Sequence, residues 1–403
     1  MFLSSIKNRA AKYLNYRRKI DFPLPCFGPV TFEDENHVPR INLLLPGVLG
    51  DSYAGGIETA LVFCCTLAKR LNAEVRILNF GARADNSLIQ KLLVERYDLD
   101  PNTNISTDVI GGSFPVGFRQ SDVWLCTYWT TAFALQSLFD TNSLFRLNSR
   151  APLLYLIQDY EPNFFPVSTM SVLAASTYDW SGSSVAIFNS KSLSDYYFAR
   201  HAVPKHSFIF PPLANIELCK RIDARFGNMT RKNRILVYGR PNKPRNAFGL
   251  LLEALRIWSE LDDARSWEVI SVGEMHRPIP LGNGIELRSA GFLTLDHYAK
   301  LLCSCRIGVS LMLSPHPSYP PFEMALGGLH VITNNYECRV WEKYDLIHAI
   351  DDISVQSIVE RLAVLTKQVK NIEPTRSYFG EDMGSHLDIE FVSDSICEIL
   401  ANV

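Results

Sequence analysis

The sequence predicts an α/β protein built from two parallel-sheet units, and three observations carry that expectation. Short apolar runs near residues 41–45, 74–79, 122–126, 153–157, 184–189 and 207–210 alternate with helical stretches, the pattern of a parallel sheet with helical crossovers. Pro211-Pro212 closes that set, and the polar segment Lys220–Asn233, with Arg225, Gly227, Arg231 and Lys232, reads as part of a linker. A second set of apolar runs follows near 234–238, 267–272, 285–290, 306–311 and 330–333. A chain of 403 residues is long enough for about two to three domains with sizeable cores.

Composition narrows the class. Hydrophobic residues make up 47% and charged residues 20%, which is ordinary for a globular protein. A net charge of −2 gives no reason to expect a nucleic-acid partner. The nine cysteines follow neither disulfide nor zinc spacing; Cys64, Cys65, Cys303 and Cys305 read as buried free thiols of a reducing compartment. With no run of roughly 18 apolar residues and no signal-peptide core at the start, the expected location is the cytoplasm. The first twenty residues carry Lys7, Arg9, Lys12, Arg17, Arg18 and Lys19 and no acid. Such a segment either docks on anionic lipid at the inner face of the plasma membrane or forms a solvated helix packed on the first domain.

In the first unit, Ile41–Leu45 runs into PGVLGDSYAGG and then into a helix, Ile57–Leu71, with Ile57, Ala60, Leu61, Cys64, Leu67, Ala68 and Leu71 at helical spacing. A strand, a Gly-rich loop and a helix let a ligand approach backbone N–H groups closely. The loop is neither G-x-x-x-x-G-K-[ST] nor G-x-G-x-x-G, so Gly55 and Gly56 give neither an NTPase nor a dinucleotide assignment. A later strand ends in Gln158, Asp159, Tyr160 and Glu161. Carboxylates that grip hydroxyls beside rings that cover a pyranose face suit a carbohydrate site; the plain alternative is that Asp159 caps a turn.

In the second unit, Arg234–Tyr238 is followed by Gly239, Arg240, Lys243 and Arg245, and a helix is expected from about Ala247. Guanidinium groups at a strand's carboxyl end are placed to grip phosphate oxygens. Further on, Ile307–Leu311 reads as a buried strand, SPHPSYPP as a loop, and Pro320-Pro321 as the opening of a short helix that Gly327-Gly328 stops. The N–H groups of such a helix start favour an anion, and Glu323 is placed for a sugar diol.

These residues resemble the donor-binding domain of GT-B glycosyltransferases of family four: G-R, a basic residue five positions beyond the Arg, then F-E-M-A-x-G-G and H-V-I-T. The resemblance implies two Rossmann-like domains facing a central cleft. Residues 1–215 would bind the acceptor, 230–385 the nucleotide sugar, and a last helix, about 385–403, would cross back. It also implies diphosphate contacts for Arg240 and Arg245 (usually Lys in the family) and a ribose contact for Glu323. The Gly55-Gly56 loop would face the leaving diphosphate and the acceptor. The family commonly has another Glu eight positions before the ribose Glu; here that place is Pro315. The departure speaks against common hexose donors such as GDP-mannose and UDP-glucose, and leaves His316 or Tyr319 to read the donor sugar. Q-D-Y-E-P and H-P-S-Y-P-P-F-E-M-A also resemble rhamnosyltransferases of bacterial surface glycans that use dTDP-L-rhamnose, including the S-layer glycan enzyme.

Family four is retaining, so the resemblance implies same-face attack with the leaving phosphate helping to take the acceptor proton, and Asp159 positioning the acceptor or assisting. The partners it implies are a nucleotide sugar, with dTDP and UDP both open, and a glycan acceptor; an acceptor carried on a lipid would justify a membrane contact by the first twenty residues. A D-x-D pattern occurs once, at Asp98-Leu99-Asp100 before Pro101, and reads as a turn. No metal or cofactor is expected, the two arginines and the helix start replacing one. A nucleotide-sugar epimerase, a sugar phosphorylase and a non-catalytic glycan-binding protein are the other classes this fold serves.

Overall fold

The computed structural model describes residues 24–33, 38–47, 55–80, 87, 89–90, 93–94, 99–111, 115–341, 344–377 and 383–402. The basic segment 1–20, residues 48–54 of the Gly-rich loop, and Asp98 lie outside the described residues. Contact density divides the chain into two compact units. One comprises residues 1–155, 176–183 and 400–403, the other residues 156–175 and 184–399.

The strands are β1 (Val30–Phe32), β2 (Arg40–Leu45), β3 (Glu74–Phe80), β4 (Ile105–Ile110), β5 (Val116–Phe118), β6 (Asp122–Cys126), β7 (Leu153–Ile157), β8 (Ser184–Phe188) and β9 (His206–Ile209). They are followed by β10 (Arg234–Tyr238), β11 (Glu268–Val272), β12 (Ile279–Gly282), β13 (Ile285–Ser289), β14 (Ile307–Val309), β15 (His330–Asn334) and β16 (Ile347–Ile350). The first seven-stranded sheet has the order β4-β3-β2-β6-β7-β8-β9, and β1 and β5 form a small parallel pair. The second has the order β12-β13-β11-β10-β14-β15-β16 and is parallel except for β12 at one edge.

The inner strands β2, β6 and β7 are buried along their whole length, as a parallel sheet covered on both faces requires. In the second sheet, β10 shows how alternation feeds two cores. Ile235 and Val237 enter one apolar cluster with Leu251, Leu255 and Trp258 from the helix Phe248–Ser259. Leu236, between them, enters the other with Leu302, Phe322 and Met324.

Local chemistry sets several boundaries. The helix expected near Ala247 begins at Phe248, with Ala247 itself in the left-handed region at φ 48°. The strand expected over Ile307–Leu311 ends at Val309, although Ser310 and Leu311 stay buried. The linker reading of Lys220–Asn233 is corrected at its start: Ile216–Asp223 is helical, capped by the Asn215 side chain accepting from Leu218 N at 3.0 Å. Leu218 and Ile222 bury one face of that short helix, which the surrounding charges concealed.

Charge is also buried at the amino end of β2. Arg40 grips Asp122 with two hydrogen bonds of 2.8 Å, and both are buried. Arg76 lies 3.7 Å from the same carboxylate and donates to Asn42 at 2.6 Å. Removing one partner of a buried ion pair leaves the other uncompensated. Arg40→Ala is expected to cost about 3 kcal/mol of stability, read as a lower urea midpoint; an unchanged midpoint would show that Asp122 does not need this partner.

Candidate active site

The second unit gathers most of the residues singled out above. The chain leaves β10 at Gly239, where a Cβ would meet the Phe248 ring at 2.7 Å; only glycine lets strand and helix pack this closely. Arg240 follows, hydrogen-bonded with the Tyr238 hydroxyl, and its Nε is buried with no partner among the described residues. Lys243 is exposed. Pro244–Asn246 forms a 3-10 turn that carries Arg245. The guanidinium of Arg245 lies 4.0 Å over the Phe164 ring and 3.4 Å from Asp159 Oδ2.

Asp159 is the centre of this network. Its Oδ1 accepts from Tyr160 N at 2.8 Å and from the Ser314 hydroxyl. Burial raises its proton affinity above the ordinary carboxylate value, against the opposing pull of Arg245, Ser314, Tyr160 N and Arg339. Both carboxylate oxygens are engaged, so Asp159 holds other groups as well as presenting charge.

Ser314 and His316 sit on the Pro-rich loop, which is clamped from several sides. Leu313 N donates to Arg245 O at 2.8 Å, and Asn246 Nδ2 to Leu311 O at 3.3 Å. Asn334 accepts from Met312 N at 2.8 Å and donates to Met312 O at 3.0 Å. Arg339, 3% exposed, donates to Met312 O at 2.7 Å and to Ser314 O at 3.0 Å. The helix Lys191–Phe198 fixes the far end: Ser192 Oγ donates to Pro315 O at 2.8 Å, and Ser190 Oγ lies 3.1 Å from His316 Nδ1. Burial, reinforced by Arg339 and Arg245, lowers the His316 pKa to about 3. The imidazole is therefore neutral across the physiological range.

The helix after this loop runs Tyr319–Leu326, one residue earlier than the proline pair suggested, with Ser318 as its N-cap. Proline at 320 and 321 leaves amide hydrogens only at Ser318 and Tyr319 among the first four positions. Two of the donors expected of a helix start are thus missing, and the arginines carry more of any anion binding. Tyr319 is half-buried, its ring 6.2 Å from that of His316.

Glu323 shares Tyr238 as an electrostatic neighbour with Arg240 and Arg245. Tyr298 donates to its Oε2 at 3.0 Å. Burial raises its pKa from 4.5 to about 7.

Other expected site residues are built into the fold. Tyr160 makes a 2.9 Å hydrogen bond with His201 Nε2 and packs edge-on against Tyr196. Glu161 is 2% exposed and opens the 3-10 turn Glu161–Phe164. Gly55 and Gly56 are the first two residues of the helix Gly55–Leu71, in the other unit. Asp100 accepts from Asn102 N at 2.8 Å, an Asx turn. Among the described residues no group of three or more His, Cys, Asp or Glu is placed to hold a metal, and no helix is long and apolar enough to cross a membrane.

Sequence reasoning missed Ser190, Ser192, Ser314 and Arg339. Asn189-Ser190 directly after a buried strand is an N-cap signal and points to the start of the helix at Lys191. Nothing local marks Arg339, whose partners are 25 and 27 residues away.

Two parallel-sheet α/β units, with arginines at a strand's carboxyl end and a Glu-bearing distal helix, define a glycosyltransferase of the GT-B fold. Sequence comparison matches residues 40–191 to the family described as "WsaF, N-terminal domain" and residues 233–363 to "WsaF, C-terminal domain". Between them these matches span more than half of the chain, which belongs to the WsaF-like glycosyltransferases. The chain is 31% identical over 222 residues to the O-antigen biosynthesis protein RfbC of Myxococcus xanthus, covering 55% of this chain and 16% of that relative's length. Anabaena HepE, solved with UDP and glucose, superposes with a TM-score of 0.55 at 12% identity, covering 91% of this chain and all of that one. Sucrose-phosphate synthase from Thermosynechococcus elongatus gives 0.50 at 11% identity, covering 90% and 96%. At these identities the structural likeness concerns the fold.

Glu323 generates a pH prediction. Between pH about 4.5 and about 7 the unfolded chain releases this proton before the folded chain does, so stability falls as pH rises through that window. The loss is on the order of 3 kcal/mol. Glu323→Gln should flatten that part of the profile in denaturation measured from pH 4 to 8. A variant profile parallel to wild type would mean that Glu323 titrates normally.

Proposed function

We propose that this chain is a retaining glycosyltransferase that moves L-rhamnose from dTDP-β-L-rhamnose to a surface-glycan acceptor. The observation that carries this reading is the neutral wall where family four commonly places an acidic sugar reader. Pro315 stands at that position, beside an uncharged His316 and the half-buried Tyr319 ring. A 6-deoxy sugar presents a methyl group, and an uncharged wall of proline and aromatic rings suits it better than an acidic one would. The relative's description as an O-antigen biosynthesis protein supports a glycan acceptor. The presence of UDP and glucose in HepE supports a nucleotide-sugar donor, and favours a UDP-linked sugar as the second reading.

In this reading Arg240 and Arg245 hold the diphosphate and absorb the charge that develops as the anomeric C–O bond breaks, with no metal required. Glu323 accepts from the ribose hydroxyls. The acceptor attacks on the face the leaving phosphate vacates, and that phosphate helps to take its proton. Asp159 fixes Arg245 and Ser314 and positions the acceptor hydroxyl or assists that transfer, while Lys243 adds positive charge at the entrance. The same reading places the domain limits at 1–215 and 230–385, with the last helix returning to the first domain. Gly55 and Gly56 then line the acceptor side, and Gln158, Tyr160 and Glu161 form the strand end that carries Asp159. It also places the protein in the cytoplasm, with residues 1–20 reaching a membrane that carries a lipid-linked acceptor.

Incubation with dTDP-β-L-rhamnose and a rhamnan acceptor should release dTDP and form a rhamnoside of the donor's anomeric configuration by NMR; an inverted product would rule out the mechanism. Arg240→Ala should weaken nucleotide-sugar binding roughly 10- to 150-fold, the equivalent of one charge-assisted contact. Unchanged affinity by calorimetry in a folded variant would remove Arg240 from the site. Asp159→Asn should slow turnover, and a wild-type rate would remove Asp159 from the mechanism.

A further inference from the structure

Two side-chain amide oxygens among the described residues of the second unit are left unanswered by the protein itself. Gln158 follows β7 directly and Asn189 follows β8 directly. The two strands are neighbours in the sheet, where adjacent strands run about 4.8 Å apart. Gln158 Oε1 and Asn189 Oδ1 are both buried and have no hydrogen-bond partner among the described residues. Asn189 as a whole is 2% exposed. Buried acceptors without a donor are rare in folded proteins, because each has lost water without replacing it. Two at adjacent strand ends call for a molecule that brings O–H or N–H groups.

Their chain neighbours say which molecule. Asp159, next to Gln158, is paired with the phosphate-gripping Arg245. Ser190, next to Asn189, bonds the neutral His316. The orphan oxygens thus flank the place where a sugar bonded to the phosphate would lie, and sugar hydroxyls are the donors such a ligand offers. We infer that Gln158 and Asn189 determine donor-sugar specificity, each accepting a hydrogen bond from a ring hydroxyl of the sugar in a nucleotide sugar. This rests on the nucleotide-sugar reading above and adds to it two residues that touch neither nucleotide nor phosphate. Each amide oxygen accepts and cannot ionise, so it rewards a hydroxyl at one ring position and is left unpaired by a sugar lacking it.

The test is calorimetric titration of wild type, Asn189→Ala and Gln158→Ala with dTDP-β-L-rhamnose, UDP-glucose, dTDP and UDP. The informative quantity is the ratio of nucleoside-diphosphate Kd to nucleotide-sugar Kd. For the donor that wild type prefers, the ratio should fall about ten-fold in each variant, while the Kd for the free diphosphate stays within about two-fold. Should one variant fail to fold, the other decides, since the two residues lie on different strands. An unchanged ratio in a folded variant would mean that the orphan oxygens are met by water only, and would overturn the inference while leaving the glycosyltransferase reading intact. Equal losses for sugar and free diphosphate would show a purely structural role and overturn it as well. A wild-type chain that binds no nucleotide sugar would overturn the functional reading itself, and this assignment with it.

Discussion

The candidate site depends on how the chain from Leu311 to His316 is held. This stretch leaves a buried parallel strand, contains Pro315 and is not held by regular backbone pairing. Its carbonyls instead receive side-chain donors: Asn246 on Leu311, Asn334 and Arg339 on Met312, Arg339 on Ser314, Ser192 on Pro315. Arg339 makes two of these five contacts, and burial lowers its pKa to about 10, still far above neutral pH. A permanently charged fork that spans two carbonyls two residues apart fixes the loop as a unit. Ser314 can then donate to Asp159, and His316 can meet Ser190.

A gradient of charge follows from that arrangement. Asp159 offsets the positive charge of Arg240 and Arg245 only in part: it lies 3.4 Å from Arg245 and favours its neutral form more than an exposed carboxyl does. Burial, reinforced by Arg339 and Arg245, keeps His316 unprotonated. In the proposed reading the arginines grip phosphates and the uncharged surface beside them receives the sugar. Glu323, buried near the Tyr298 hydroxyl, is poised near neutrality. It can therefore change charge when a ligand's hydroxyls replace some of the water it has lost.

Much of the fold was legible because parallel sheets write themselves as apolar runs. The strands β2, β6, β7, β8, β10 and β15 are of this kind. Two edge strands were not: β4 carries three polar residues in a row, Ser106, Thr107 and Asp108, and β12 contains a proline and a glycine. The motif residues Gly239, Arg240, Arg245, Asp159, His316 and Glu323 could be named because strand ends and helix starts concentrate chemistry. Tyr160 and Glu161 drew attention for the same reason, yet Tyr160 is committed to His201 and Glu161 is buried. What a linear reading could not supply was the set of long-range clamps. Arg339 and Asn334 act across more than twenty residues, and Ser190 and Ser192 across more than a hundred. None of these contacts leaves a local pattern.

The most direct test is thermal-shift titration of the full chain with dTDP-β-L-rhamnose, UDP-glucose, GDP-mannose and their free nucleoside diphosphates. A neutral sugar wall beside an arginine pair predicts selective stabilisation by dTDP-β-L-rhamnose and dTDP, growing with ligand concentration as binding to the folded state requires. Equal or stronger stabilisation by UDP-glucose or GDP-mannose would contradict the proposed donor. The absence of any shift would contradict the nucleotide-sugar site as a whole.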